Sequence, residues 1–352
     1  MIIGATVRRL DRPHRPWQGN IRYSDGRRIS KVFPWQTVRT KSDALKALNR
    51  WKSELEEPSS VMLMDWCQRY LDSIAPTLEP STVSGYRQSM KHIRDLGNIR
   101  LSELTPETAQ RWESSMLSDG LSSSTVGKAH RLLKQCLRNA VENDLIQRNP
   151  MDRVRPPKRR DPNPNALDRE GRSKLLSLLE SMQDCPLRRA VYLALFTGMR
   201  RGEICALRWE DLTDGVHVRQ SVGIGESGAY LKAPKSYAGR RSIPIPERLR
   251  KALGGPDGHI YVLGTDTFYN PTVLGKQWAS FARSFGIRGT NGPCTFHDLR
   301  HTYATAAIAN GADVRSIASI LGHSNPALTL TVYAAPDREA RERAARIAGE
   351  NI

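Results

Sequence analysis

The chain has 352 residues, is 39% hydrophobic, and carries Lys+Arg 54 against Asp+Glu 36 for a formal net charge of +18. This length is too great for one ordinary core and predicts two or three domains. The positive field attracts a polyanion, with nucleic acid the first candidate and another kind of basic enzyme the alternative. The five cysteines (Cys67, Cys136, Cys185, Cys205, Cys294) lack paired spacing and point to a reducing compartment rather than a disulfide framework. No run of ~20 apolar residues occurs, and Met1-Ile-Ile-Gly leads directly into Arg8-Arg9, so the reading is a soluble cytoplasmic protein without a membrane span or signal peptide.

In chain order, Ser24-Asp25-Gly26-Arg27 predicts a turn between strands at Ile21–Tyr23 and Ile29–Phe33, with a helix from about Lys41. Residues 1–57 hold 13 Lys and Arg against 6 acids. The small sheet plus helix therefore reads as a DNA-gripping domain, with Arg8, Arg9, Arg22, Arg27 and Arg28 as candidate contacts; a solvated face of a protein-interaction module is the plainer alternative. After a linker near Pro58, helices are predicted near Val61–Ile74, Ser81–Arg94, Thr105–Leu117 and Ser124–Asn143, forming a helical domain over residues 60–155. Thr105 is placed as a cap with Pro106 in the first turn. In the fourth helix Val126, Ala129, Leu133, Cys136, Leu137, Ala140 and Val141 recur at three and four, which marks a buried face rather than a site.

Residues 156–165 contain two adjacent prolines and the basic run Lys158-Arg159-Arg160, a composition that resists helix and packed strand alike. They read as an interdomain tether able to lie along a phosphate backbone. Beyond it, helices near Asp168–Met182 and Pro186–Phe196 precede strands near Val216–Gln220, Tyr230–Ala233 and Arg241–Ile245, and helices resume near Thr272. The fold class is thus multidomain and mainly α with small β-sheets, ending in an α+β domain over residues 166–352.

Four motifs in this last domain gather cations and imidazoles. In Thr197-Gly-Met-Arg-Arg-Gly-Glu203, Arg200 and Glu203 stand three apart, so on a helix the carboxylate can orient the guanidinium; an ordinary surface ion pair is the alternative. In the stretch from Leu231 to Pro244, a lysine is expected at the tip of a hairpin, where it could protonate a leaving oxygen or be merely exposed. His297, Arg300 and His301 share a helical face in His-Asp-Leu-Arg-His-Thr. Leu321-Gly322-His323 is followed ten residues later by Tyr333.

The set TGMRRGE, PKS, HDLRHT, LGHS and TLTVY resembles, in order and spacing, the catalytic pattern of the tyrosine recombinases. The resemblance covers about Asp168 to Tyr333. With lower specificity, residues 60–155 resemble the core-type DNA-binding domain, and residues 1–57 the arm-type binding domain of larger phage integrases. The resemblance implies a site-specific recombinase in which Tyr333 attacks phosphorus and leaves a 3′-phosphotyrosyl bond. Arg200 and Arg300 would bind the nonbridging oxygens, His297 would act as base, Lys235 as acid to the departing 5′ oxygen, and His323 as a further donor, with Glu203 and His301 supporting. Lys232 also lies near the turn; Lys235 is preferred for its place before Ser236. The ester's energy is retained in the phosphotyrosine, so no nucleotide is needed, and no GxxxxGK[ST] loop occurs. The resemblance further implies double-stranded DNA attachment sites, a homo-tetramer on DNA, a host DNA-bending protein and an excision factor as partners, and integration or excision of a phage or mobile element. The charged segment Asp337–Ile347 would dock on a neighbour or remain a solvated end.

Cys294, His297 and His301 have a spacing that suggests zinc, but a fourth ligand is not evident and Arg300 would repel a cation, so no metal or other cofactor is expected. A type IB topoisomerase, which would relax DNA without exchanging partners, and a noncatalytic DNA-binding regulator are the two other readings.

Overall fold

The computed structural model describes residues 2–24, 26–56, 61–158, 164–234, 239–256, 258–322 and 349, with residues 53–56 as backbone only. The chain divides into two units, Met1–Arg159 and Arg160–Ile352.

The first unit opens with an antiparallel sheet in the order β1-β2-β3, formed by β1 (Ile2–Arg9), β2 (Trp17–Tyr23) and β3 (Arg28–Val32), followed by α1 (Lys41–Glu56). Strand β1 was not foreseen; its register runs Arg8 opposite Gln18 and Thr6 opposite Asn20. Alternation decides the faces. Ile21 and Tyr23 are buried with Phe33, Val38, Ala44 and Leu48, and a Cβ on Gly19 would lie 2.8 Å from the Phe33 ring. The opposite face carries Arg8, Thr6, Gln18, Asn20, Arg22, Ser30 and Arg28.

The four expected helices follow as α2 (Leu63–Ile74), α3 (Pro80–Ile93), α4 (Pro106–Ser118) and α5 (Ser123–Glu142). Side-chain caps set the starts of α4 and α5: Thr105 Oγ1 accepts from the Thr108 amide and Ser122 Oγ from the Thr125 amide. On α5 the anticipated apolar stripe is buried except for Val141, which is half-buried. Within this core His130 Nδ1 and Glu113 Oε1 lie 2.5 Å apart, both nearly fully buried. The sheet cluster and the helix cluster are separate hydrophobic cores inside the one unit.

The second unit contains α6 (Arg169–Ser181), α7 (Pro186–Thr197), α8 (Arg201–Cys205), β4 (Gly215–Val218), β5 (Ser221–Gly225), β6 (Gly228–Lys232), β7 (Arg241–Pro244), α9 (Glu247–Leu253), α10 (Pro271–Ser284), the short pair β8 (Arg288–Gly289) and β9 (Gly292–Pro293), α11 (Phe296–Ala309) and α12 (Val314–Leu321). Its core is built on α7, whose Ala190, Val191, Leu193 and Ala194 are all buried. The strand pairing differs from the expected hairpin. β5 pairs with β6 around a turn at Glu226–Ser227, so Lys232 closes the open end opposite Ser221, and β7 pairs with β4 instead. The chain leaves β4 at Arg219–Gln220, a break that the continuous apolar-polar pattern from Val216 to Gln220 did not disclose.

Candidate active site

The Thr197–Glu203 motif builds its geometry around one glycine. Helix α7 ends at Gly198, whose φ of 62° is left-handed and whose amide bonds the Ala194 carbonyl. This turn sends Met199 into the core and leaves Arg200 as the residue preceding α8. The Arg200 amide donates to Glu203 Oε2 at 2.8 Å, its Nη1 to Oε1 at 2.9 Å, and its Nη2 to the Gly322 carbonyl at 3.1 Å. The pair is not an ordinary surface bridge: the Glu203 side chain is 5% exposed and that of Arg200 41%. Burial alone would raise the Glu203 pKa, but the hydrogen bonds and charge of Arg241 together with the charge of Arg200 outweigh it and hold the carboxyl below its usual range. Sequence reading passed over Arg241, although it lies inside a quoted motif, because its partner Glu203 is 38 positions away.

Helix α11 presents the third motif. Its start is fixed by Asp298, whose Oδ2 accepts from the Thr295 amide (2.7 Å), the Thr295 hydroxyl (2.9 Å) and Asn165 Nδ2 (3.1 Å). Arg300 is buried and donates at 2.7 Å from Nη1 to the Gly198 carbonyl and from Nη2 to the Leu321 carbonyl. Three consecutive carbonyls at the end of α12 are therefore held by three arginines: Ile320 by Arg241, Leu321 by Arg300 and Gly322 by Arg200. The last carbonyls of a helix lack partners within it and carry the negative end of its dipole, so guanidinium groups are well matched there. The consequence is that Arg200 and Arg300 converge on adjacent peptides just before His323.

His297 and His301, one turn apart, set their rings edge to face with centroids 4.8 Å apart. His297 keeps an edge open to solvent. Desolvation of the rest of its ring, with the charges of His301, Arg300 and Arg200, nevertheless pushes its pKa down to about 4 against the opposing pull of Asp298. Desolvation likewise lowers His301, with Asp298 opposing and Arg300 adding. At neutral pH both rings are uncharged, so each has one nitrogen able to accept a proton. Cys294, the third member of the zinc-like spacing, is buried, and desolvation with the neighbouring Asp298 pushes its thiol up to about 12. Among the described residues no group of three or more metal-type ligands forms.

Lys235, His323, Tyr333 and the segment Asp337–Ile347 lie outside the described residues, as do Arg159 and Arg160. Lys232, the alternative acid, stands within 5.8 Å of the Tyr230 ring centroid. In the first unit Arg8, Arg9, Arg22 and Arg28 are exposed, and Lys158 is exposed at that unit's end. Arg27 instead turns toward the protein, 4.4 Å over the Tyr23 ring and donating to the Gln147 carbonyl at 3.3 Å. No helix among the described residues is long and apolar enough to cross a membrane.

Residues 165–340 match the model of the phage integrase family, and residues 62–155 match the phage integrase SAM-like domain. A tyrosine recombinase XerC-like protein of Caldanaerobacter subterraneus subsp. tengcongensis is 23% identical over 283 residues, covering 70% of this chain and 71% of that one. The transposase from transposon Tn916 of Enterococcus faecalis is 25% identical over 304 residues, covering 77% and 74%. The fold is similar to that of the Tn1549 transposon integrase in complex with a circular intermediate DNA, with a TM-score of 0.68 and 21% identity over 82% of this chain and 100% of that one. Relatives of these kinds do not favour a DNA-relaxing enzyme or a noncatalytic regulator. The chain belongs to the phage integrase family and is a tyrosine-type site-specific recombinase.

Proposed function

We propose that this recombinase integrates and excises a mobile element, phage or transposon, by cutting each strand through Tyr333. The Tyr333 oxygen attacks phosphorus and the bond from phosphorus to the 5′ oxygen breaks. The phenolic proton passes to His297 and the departing oxygen takes a proton from Lys235, leaving a 3′-phosphotyrosyl ester and a free 5′-hydroxyl. Arg200 and Arg300 donate to the two nonbridging oxygens as charge builds, and His323 adds a donor. His301 and Glu203 hold these groups in place. The observation that carries the reading is the convergence of Arg200 and Arg300 on the adjacent carbonyls of Leu321 and Gly322. It brings two guanidinium forks, which never lose their protons, to one point on the chain directly preceding His323.

Around this centre the chain works as three parts: an arm-type DNA-binding domain over 1–57, a core-type one over 60–155 joined through 156–165, and the catalytic domain over 166–352. Exchange between two duplexes requires four cuts, so four copies assemble on DNA, with Asp337–Ile347 docking on a neighbour. A host DNA-bending protein and an excision factor set direction, and the reaction takes place in the cytoplasm of a bacterial cell. The mobile-element role is supported by the relative from transposon Tn916.

The test is a covalent trap. Nicked duplexes tiled across the DNA flanking the gene are incubated with the protein, denatured, and examined for a protein–DNA adduct, with Tyr333→Phe alongside. An adduct that disappears in the variant and maps to Tyr333 establishes the cut; tight, site-specific binding without an adduct overturns it.

A further inference from the structure

Arg241, at the start of β7, is one of the three arginines that hold the end of α12, and its guanidinium also forks onto the Glu203 carboxylate. Its side chain is 6% exposed, and its hydrogen bonds turn inward onto the protein. Four of its five N–H donors are accounted for: Nε on the Ile320 carbonyl, Nη1 on Glu203 Oε1 at 3.0 Å and on the Gly239 carbonyl at 3.2 Å, and Nη2 on Glu203 Oε2 at 2.8 Å. Each Glu203 oxygen thus accepts from both arginines, since Oε1 also receives Arg200 Nη1 and Oε2 the Arg200 amide. The arrangement is one buried carboxylate between two guanidinium groups, with one unit of positive charge left over.

We infer that Arg241 is a positioning residue for strand cleavage: by neutralising Glu203 it leaves the charge of the half-exposed Arg200 available to the scissile phosphate. Without Arg241, Arg200 and Glu203 form a closed neutral pair. A buried carboxylate with no other cation keeps the arginine, because desolvation makes an unpaired charge costly. The phosphate then competes with Glu203 for one guanidinium. With Arg241 in place, Glu203 serves to orient Arg200 without cancelling it. Arg241 also ties β7, six residues after Lys235, to the peptide that precedes His323, so it links three of the motifs without contacting substrate. A lysine keeps the charge but offers a single point with three rotatable donors, so it replaces the neutralisation in part and the two-pronged geometry not at all.

This inference rests on the reading of Arg200 as a phosphate ligand. It is tested on the duplex that the wild-type chain captures covalently; if none is captured, it is that reading that fails. Single-turnover adduct formation and DNA affinity are measured for wild type, Arg241→Lys, Arg241→Met and Glu203→Gln/Arg241→Met. Each is measured on the ordinary duplex and on one with a neutral methylphosphonate at the mapped cleavage position. The expected order of rates is wild type, Arg241→Lys, Arg241→Met, the last slower by about tenfold or more with affinity little changed. Two results separate charge competition from plain loss of structure. Adding Glu203→Gln recovers much of the Arg241→Met loss, and on the methylphosphonate, which needs less positive charge, the Arg241→Met deficit shrinks by about tenfold. Equal deficits on the two duplexes overturn the inference. So does an Arg241→Met rate within about threefold of wild type. Should Arg241→Met not fold, the comparison of Arg241→Lys on the two duplexes decides in the same way.

Discussion

Gly198 and Tyr303 meet so closely that a methyl group on the glycine would lie 2.6 Å from the tyrosine ring, and 2.7 Å from Leu321 Cδ2 as well. Gly198 is also in the left-handed region and its carbonyl receives Arg300. Gly198→Ala therefore combines a left-handed penalty of about 1 kcal/mol with overpacking of about 1–3 kcal/mol. The expected outcome is a loss of roughly 2–4 kcal/mol in denaturant unfolding of the second unit, accompanied by slower cleavage. Unfolding unchanged from wild type contradicts this packing.

Arg300→Lys keeps the charge but cannot reach both the Gly198 and Leu321 carbonyls with one ammonium group. Bonds to a charged donor contribute about 1.5–3 kcal/mol, so losing one should slow cleavage by roughly tenfold to a hundredfold. Affinity for DNA, spread over many phosphates, should fall little. Adduct formation near the wild-type rate would show that the fork geometry does not matter.

The helices and the Arg200–Glu203 pair were legible in the sequence because their signals are local. Thr105 and Ser122 each cap a helix three residues on, and Arg200 and Glu203 stand within one turn. What stayed hidden is nonlocal. Strand β7 pairs with β4 across the β5–β6 hairpin, and Arg241 finds Glu203 across 38 positions and Ile320 across 79. The eight residues of α12 are too few for periodicity to announce them, yet their final carbonyls organise the arginines. Strand β1 was missed for a related reason: Ile2–Arg9 has mixed exposure and is defined by its ladder with β2 rather than by its own alternation.

The His130–Glu113 contact lies in the middle of the helical core and uses Glu113 Oε1, while Glu113 Oε2 has no hydrogen-bond partner among the described residues. Removing either partner leaves a buried polar group unsatisfied, which costs about 1–3 kcal/mol. Glu113→Leu and His130→Leu should each destabilise the first unit by that amount, whereas the double variant should lose much less than the sum. Additive losses would mean that the two side chains do not depend on each other.

Acid should weaken the second unit through His297. Its pKa is lowered from 6.5 to about 4, so between those values the folded state binds fewer protons than the unfolded chain, and stability rises with pH through that window. Nothing is lost at pH 7; the loss begins as pH falls below about 6.5. His301, also lowered, acts in the same direction. The depressed Glu203 adds stability present above its ordinary 4.5 and lost as pH falls through the folded value. Urea unfolding at pH 7 and pH 5 should therefore show a smaller drop for His297→Asn than for wild type. Parallel drops would place the acid sensitivity elsewhere.

The outer face of the N-terminal sheet sets Arg22 beside Arg28 and Arg8 beside Gln18, with Arg8 Nε donating to Gln18 Oε1 at 2.8 Å. The residues aligned on this face include no acid, so a phosphate placed against it would meet no like charge. If Arg22 and Arg28 each neutralise one phosphate, each replacement by alanine should flatten the plot of log affinity against log salt by about 0.9. Arg27, stacked on Tyr23 and bonded to Gln147, should change that slope little when replaced, and should instead lower the stability of the first unit. The experiment is a salt titration of binding to tiled duplexes with the three single variants compared at one temperature. A slope that changes for Arg27→Ala and not for Arg22→Ala or Arg28→Ala would overturn the assignment of phosphate contacts to this face.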